Sequence, residues 1–147
     1  MRISSKGRYG LRAMIELASQ DGKGPVLLKD VAEAQGLPLG YLEQIISPLR
    51  KAGLVRSFRG ARGGYQLARA PEQINALEIV EALEGPLAPL DCVTEPRACD
   101  RAPGCAARDL WCRLHRAMAD TLSRTTLAQL VEEQRSYESA THLLFHI

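Results

Sequence analysis

Apolar residues in the first third of the chain recur three and four positions apart, which is the spacing of one buried helix face. The first set ends before a glycine- and proline-rich break, and its members are Leu11, Met14, Ile15 and Ala18. A second, shorter set stops at Gly36, and its apolar members are Leu28, Val31 and Ala32. These patterns predict one helix over residues 6–20 and a short helix over residues 28–35.

A proline- and glycine-containing turn over residues 37–40 separates the second helix from a third apolar pattern, which ends at Gly53. The apolar positions of that pattern are Tyr41, Leu42, Ile45, Ile46, Leu49 and Ala52. Two helices joined by a tight turn form a helix-turn-helix. Pro48 lies inside the third helix, where it removes a backbone donor. The sequence allows either a bend at this residue or a second segment that starts at Ser47.

Two short β-prone runs follow, over residues 54–58 and 65–67, and a glycine-rich tip with Arg59 and Arg62 joins them. A helix-turn-helix followed directly by a hairpin predicts a winged helix, with the third helix in a DNA major groove and the wing on the adjacent backbone or minor groove. A phosphate-binding nucleotide loop is the alternative for the glycine-rich tip. It is disfavoured because the G-x-x-x-x-G-K pattern is absent and no helix opens after the tip.

The second half of the chain carries two further helical patterns. Asn75 and Glu78 resemble a capping box at the start of a helix that Gly85 ends. A longer amphipathic pattern has as its apolar members Leu110, Trp111, Leu114, Met118 and Leu122. An apolar helix face outside a complete small domain needs a cover, and a two-fold homodimer is the usual one. Packing of this helix on its own winged helix is the alternative.

The predicted fold class is therefore mainly α with a small β-hairpin wing, a winged helix-turn-helix plus a long C-terminal dimerisation helix. We divide the chain into a DNA-binding domain (1–84), a cysteine-rich loop (85–105), dimerisation helices (106–135) and a tail of little pattern (136–147). A second capping box, Thr126 with Gln129, starts a further short segment within the dimerisation region.

Charge divides the chain in two, although the formal net charge is only +2. Residues 1–69 carry a balance of +7 and residues 70–147 a balance of −5. Concentrated positive charge attracts phosphate backbones, so the first half is the expected nucleic-acid face, with a merely solvated basic surface as the alternative. The sequence favours neither a signal peptide nor a membrane span, and the cytoplasm is the expected location.

All four cysteines fall within 21 residues, as C-x6-C-x5-C-x6-C, at Cys92, Cys99, Cys105 and Cys112. Thiols stay reduced in the cytosol, so a local cluster indicates metal or redox chemistry and not a disulfide framework. Structural zinc sites use closer C-x2-C to C-x4-C pairs, which are absent here. Wider spacing in a loop favours an iron-sulfur cluster, either 2Fe-2S or 4Fe-4S.

Four segments together resemble the Rrf-two family of bacterial transcription regulators. They are residues 1–10 (MRISSKGRYG), 40–44 (GYLEQ), 49–55 (LRKAGLV) and 59–65 (RGARGGY). The resemblance extends from residue 1 to about residue 133, and it implies a homodimeric winged-helix protein that binds a palindromic operator in double-stranded DNA. It further implies that Cys92, Cys99 and Cys105 are the cluster cysteines, with one extra residue between the first two.

The fourth cluster ligand departs from the family pattern. IscR-like members place a histidine three residues after the third cysteine, where this chain has Arg108, which cannot ligate iron. NsrR-like members use an aspartate of the partner chain, where this chain has Arg8. Cys112 is the obvious thiolate, provided that the helix begins after Cys105. Asp109, a group from the partner subunit, an external ligand, or Cys112 as an ordinary buried thiol remain alternatives.

The resemblance also assigns a DNA face. It implies Glu43 as a base reader, consistent with a carboxylate accepting from cytosine N4, and Arg59 as a minor-groove residue. Two reading positions that hold serine in IscR-like members are Pro38 and Gly40 here, so the operator should differ or be read by fewer contacts. Other expected DNA contacts are Arg2, Lys6, Arg8, Tyr41, Gln44, Arg50, Lys51 and Arg62.

The predicted function is a transcriptional regulator, with repression as the expected mode, whose operator binding depends on the cluster. A cluster-free regulator of the same fold controlled by a partner protein, as in CymR-like members, is one alternative. A cysteine-cluster electron carrier is another, but it would not need the basic wing. An enzyme is not expected, because the sequence offers no nucleophile-base set, phosphate loop or suitably spaced carboxylate pair.

Overall fold

The computed structural model describes residues 2–146, so Met1 of the first family segment and Ile147 of the expected tail lie outside it. Its helices and strands in chain order are α1 (Ser5–Ser19), α2 (Leu28–Gln35), α3 (Leu39–Lys51), β1 (Val55–Phe58), β2 (Gly64–Leu67), α4 (Ala76–Glu84), α5 (Asp91–Thr94), α6 (Ala106–Arg124) and α7 (Leu127–Phe145). Short 3-10 turns lie at Pro71–Gln73 and Pro96–Ala98. The predicted winged helix-turn-helix is confirmed.

The helix-turn-helix packs its apolar faces into one core with α1 and α4. The largest fully buried side chains include Met14 of α1, Ile45 and Leu49 of α3, and Ile79 of α4. Gly36 ends α2 in the left-handed conformation (φ 64°, ψ 37°) that glycine adopts without a Cβ penalty. The turn therefore redirects the chain sharply, and the two helices share a single core.

Helix α3 runs through Pro48 without a break, which excludes a second segment starting at Ser47. The proline ring leaves the carbonyl of Gln44, four residues earlier, without its intrahelical donor. Ile45, Ile46 and Leu49 are buried on either side of the proline. Their packing holds the helix together across the missing hydrogen bond, so α3 is one continuous helix.

The wing is fixed at its base by a third extended segment. Strands β1 and β2 pair antiparallel with Val55 opposite Leu67 and Phe58 opposite Gly64. Val26 then pairs with Tyr65 from the other edge through two backbone hydrogen bonds of 2.9 and 2.8 Å. Gly64 (φ 147°) lies against Val26 so closely that a Cβ there would overlap its backbone. The hairpin is thus joined to the chain segment ahead of α2.

The predicted capping box at the start of α4 is present. Asn75 Oδ1 accepts from the Glu78 amide at 3.0 Å, and the Asn75 amide donates to Glu78 Oε2 at 3.1 Å. Arg69 Nη2 donates to Glu78 Oε1 at 2.7 Å and Nη1 to the Gln73 carbonyl at 3.0 Å. Burial alone would raise the pKa of Glu78, but the hydrogen bonds from Arg69 and the Asn75 amide and the Arg69 charge lower it overall.

The lowered pKa predicts an acid-dependent contribution to stability. It is present above the ordinary glutamate pKa of about 4.3 and is lost as the pH falls through the lower folded-state value. Glu78→Gln should reduce the free energy of unfolding by less than about 1 kcal/mol at neutral pH, because the pair is one-third exposed, and by nothing in acid. Urea unfolding measured at neutral pH and in acid checks this difference in stability, with Glu81→Gln as control. An equal loss at both pH values would refute it.

The C-terminal helices differ in how they are covered. Leu127 and Val131, at the start of α7, are buried in the winged-helix core, and the Leu127 amide donates to the Ile74 carbonyl at 2.9 Å. In the described part of the chain α6 has no buried residue, although it is amphipathic. Both helices therefore pack back on the winged helix, α7 against α1 and α6 against α4, but only α7 buries side chains in its core and α6 keeps an uncovered face.

The segment expected to lack pattern is largely helical. The short segment predicted from Thr126 is a 19-residue helix that continues through Phe145. Tyr137, Leu143 and Leu144 on its last turns are 68 to 74% exposed. Sequence periodicity did not reveal this part of α7 because its apolar residues cover no core. Within residues 2–146, none of the helices has the length and apolar character that crossing a membrane requires.

Candidate DNA-binding face and cysteine segment

A concavity on the outer side of α3 gathers several of the residues expected to bind DNA. Lys6 of α1 and Glu43, Gln44 and Lys51 of α3 line it, together with Gly40, Ser47 and Pro48. Glu43, Gln44 and Lys51 are exposed, whereas Lys6 is half-buried. Because Lys6 and α3 are far apart in the sequence, their proximity could not be predicted from it.

Arg8 contacts an aromatic pair that connects α1 to α3. Its guanidinium carbon lies 4.7 Å from the ring centre of Tyr9, and the Tyr9 and Tyr41 rings meet edge to face at 6.3 Å. Arg12 lies over the same Tyr9 ring at 5.8 Å. A cation over an aromatic face is held electrostatically, so Tyr9 orders Arg8 beside α3. Tyr9 was missed from the sequence, although an arginine three positions on was an available signal.

The remaining basic candidates divide into two groups. Arg59 and Arg62 are exposed at the wing tip, and Arg50 is exposed near the end of α3. Arg2 instead lines an apolar cavity between the N-terminal segment, the 85–90 linker and α6, with Leu87 and Met118 among its neighbours. The structure thus separates Arg2 from the α3 concavity.

Pro38 and Gly40, two of the expected base-reading positions, lie at the start of α3. Pro38 is the N-cap residue and supplies no side-chain cap. A Cβ added at Gly40 would meet nothing within 4 Å. The start of the recognition helix is therefore open and offers no side-chain donor at either position.

The cysteines lie on an irregular segment and on α6. Cys99 is exposed, and Cys92, Cys105 and Cys112 are half-buried, all as free thiols. Cys105 is the N-cap of α6 with extended backbone, so the helix begins directly after it, as ligation by Cys112 requires. Across residues 2–146, no three His, Cys, Asp or Glu side chains are grouped so that they could hold one metal ion. As folded here, the four thiols are not gathered into one ligand set.

In the fold, Arg108 bridges the first and third cysteines of the segment. Its Nε donates to the Cys92 carbonyl at 2.8 Å, and its amide donates to Cys105 Sγ at 3.4 Å. The other described hydrogen bonds of residues 91–104 are local, within four residues. Arg108 therefore holds the loop against α6, a role that its mismatch with the family ligand did not reveal.

A basic recognition helix, a wing with two exposed arginines and a shared helical core define a winged-helix DNA-binding transcription regulator. A family model described as Rrf2, iron-dependent transcriptional regulator, matches residues 3–133. The chain belongs to the Rrf2 family.

Individual relatives agree with this membership. The regulator CymR of Bacillus subtilis is 47% identical over 141 residues, covering 93% of this chain and 97% of that protein. The solved structure of B. subtilis CymR, described as the global cysteine regulator, has a TM-score of 0.78 over 90% of this chain and 98% of that one. IscR of T. potens has a TM-score of 0.74 at 41% identity, covering 91% of this chain and 88% of that one. The CymR sequence is named a transcriptional regulator, in agreement with the family model, which implies a regulator and not an enzyme.

Proposed function

We propose that this chain is a homodimeric transcriptional repressor that binds a palindromic operator through α3 and the wing, and whose binding is controlled at the cysteine segment. The observation that carries the proposal is the concavity of Lys6, Glu43, Gln44 and Lys51 on the recognition helix. Basic side chains neutralise phosphates, and an exposed carboxylate among them can read a base edge. A regulator of this kind acts in the cytoplasm, where bacterial DNA lies.

The dimer is proposed from α6. Its 19 residues are amphipathic, yet none of them is buried within the described chain, and Leu110 is 48% exposed. A second copy could cover this stripe by a two-fold contact. Two recognition helices related by that axis would meet two half-sites of a palindrome, one helical turn of DNA or a multiple apart.

Control is proposed to reside in an iron-sulfur cluster on Cys92, Cys99 and Cys105, with Cys112 as the fourth donor. The donors fit in kind, because thiolates are soft ligands and all four are free. They are not gathered as folded here, so binding would require residues 92–104 to move and Arg108 to release the Cys92 carbonyl. The other described hydrogen bonds of this segment are local and would not oppose that movement. A bound cluster would supply a redox-sensitive centre whose presence is read through this segment.

A cluster-free regulator of the same fold, controlled by a partner protein, is the second candidate. The ungrouped thiols and the place of Arg108 between Cys92 and Cys105 favour it. The similarity to CymR, described as a global cysteine regulator, is in line with it.

One experiment tests the DNA and dimer parts together. Analytical ultracentrifugation should give a dimer, and a palindromic duplex selected from random DNA should be bound with an affinity that falls steeply with salt. Leu114→Glu should produce monomers that bind the palindrome weakly. Arg113→Gln, a change at an exposed α6 position, lowers the charge by the same one unit and is the control. Full-strength palindrome binding by a monomer would refute the dimer proposal.

A further inference from the structure

The last residue of α4 caps the first turn of α1. Glu84 Oε1 accepts three hydrogen bonds, from the Ser4 amide at 2.9 Å, the Ser4 hydroxyl at 2.5 Å and the Gly7 amide at 3.1 Å. Ser4 is the N-cap residue of α1, and its hydroxyl also accepts from the Gly7 amide at 3.3 Å. A carboxylate from 77 to 80 residues away thus completes the cap of α1.

Gly7 allows the Glu84 carboxylate to approach the backbone of α1 closely. A Cβ at residue 7 would overlap Glu84 Oε1 and lie 2.9 Å from Ile3 Cγ2, so only glycine leaves room for the carboxylate. The first amides of a helix have no intrahelical acceptor, and the positive end of the helix dipole favours a negative group. Without this acceptor only the longer Ser4 hydroxyl bond of 3.3 Å would cap the first turn of α1, so the turn would fray more readily.

That first turn carries Lys6. Lys6 lies between Ser4 and Gly7 in the chain, and its side chain lines the α3 concavity beside Glu43 and Gln44. The carboxylate holds one side of the turn while the other side presents a lysine to the recognition helix. The position of Lys6 on the DNA face therefore depends on Glu84.

Glu84 also leads directly into the segment that carries the cysteines. The Leu87 carbonyl lies 3.1 Å from His115 Nδ1 of α6, and the Cys92 carbonyl accepts from Arg108 of the same helix. A displacement of the 85–90 linker would reach the α1 cap within one to three residues of chain.

We propose that Glu84 is a positioning residue, which sets Lys6 on the DNA face and transmits changes in the cysteine segment to it. This inference rests on the proposed operator binding and deepens it. It predicts a change in operator affinity opposite to the one that removal of a carboxylate usually produces. Removing a carboxylate near a DNA-binding surface normally strengthens binding, because a repulsive charge is lost. Removing Glu84 should weaken it.

The test compares Glu84→Ala with Glu81→Ala, which removes an exposed carboxylate of the same helix. Glu84→Ala should weaken operator binding at least fivefold at physiological salt and lower the salt slope by about two, as expected for the loss of one phosphate contact from each protomer of the proposed dimer. Lys6→Ala should do the same, and the double variant should bind no more weakly than Lys6→Ala alone. A cap with only a structural role would lower the unfolding temperature and leave the salt slope unchanged.

Gly7→Ala, which pushes the carboxylate away without removing its charge, serves as a second variant should Glu84→Ala fail to fold. It should reproduce the weaker binding. Additive losses in Glu84→Ala and Lys6→Ala, or an affinity for either cap variant equal to that of Glu81→Ala, would overturn the inference. If the parent protein did not bind the operator at all, the proposed function itself would be overturned.

Transmission is tested by alkylating the thiols with iodoacetamide. The resulting change in operator affinity should be several-fold smaller in Glu84→Ala than in the parent protein. A change of equal size in both proteins, or none in the parent, would limit Glu84 to positioning Lys6 and overturn its transmitting role.

Discussion

Glu43→Ala should relax the choice of one base pair in the operator while binding to unrelated DNA holds or improves. Glu43 is exposed in the α3 concavity, with Gln44 and Lys51 beside it. A carboxylate can accept a hydrogen bond from cytosine N4, whereas alanine accepts from no base. The loss on the preferred site should be about 1 to 3 kcal/mol, or roughly 5- to 140-fold in affinity.

Selection of binding sites from a randomised duplex measures this directly. Glu33→Ala removes an exposed carboxylate from α2 and controls for charge alone. It should bind slightly better to all sequences and keep the parent preference. An unchanged base preference in Glu43→Ala would remove this residue from the reading set.

Protein purified without oxygen should contain iron and sulfide, and Cys99→Ala should contain essentially none. Cys99 is the exposed thiol of the segment, so its substitution disturbs no packing and removes one proposed donor. A cluster with too few thiolates is not retained. Iron and sulfide analysis with visible absorption checks the outcome, and Asp100→Ala, a change at the neighbouring exposed position, should leave the cluster intact.

Cys112→Ala addresses the fourth ligand. If Cys112 supplies it, this variant should lose most of its visible absorption, and a full-strength spectrum would exclude Cys112 as the ligand. Arg108→His would then test the family position, because an imidazole could ligate where the guanidinium cannot. A colourless, iron-free parent protein that still binds its operator would favour the cluster-free regulator.

Local signals predicted most of the fold. The helices from α1 to α4 were visible as 3.6-residue patterns bounded by Gly36, Gly53 and Gly85, and the wing as two β-prone runs around a glycine-rich tip. The capping boxes were legible because Asn75 and Thr126 lie three residues before their partners. The continuity of α3 through Pro48 could not be predicted, because the sequence by itself shows only the lost hydrogen bond of the proline. The burial of its neighbours, which outweighs that loss, is visible only in the fold.

The candidate site was predicted less completely, because its contacts span the chain. Resemblance to the family supplied the expected roles of Glu43 and Arg59, but no local sequence signal indicated that Lys6 lies near α3 or Glu84 near Ser4. The sequence showed Arg108 only as a residue unable to ligate iron. Its hydrogen bonds to Cys92 and Cys105 could be identified only in the folded chain. Periodicity also failed for residues 136–145, where a helix forms without an apolar face on the core.

The pairing of Val26 with Tyr65 has a mechanical consequence. It joins the wing to the chain entering α2, and α3 continues through Pro48 as one helix, so we expect the two elements proposed to contact DNA to keep a nearly constant spacing. A duplex that binds both would then have to adjust its groove width and curvature to that spacing. Stiff and pliable base steps would then differ in cost even where no side chain reaches them, so part of the choice of operator would lie in the elasticity of the DNA.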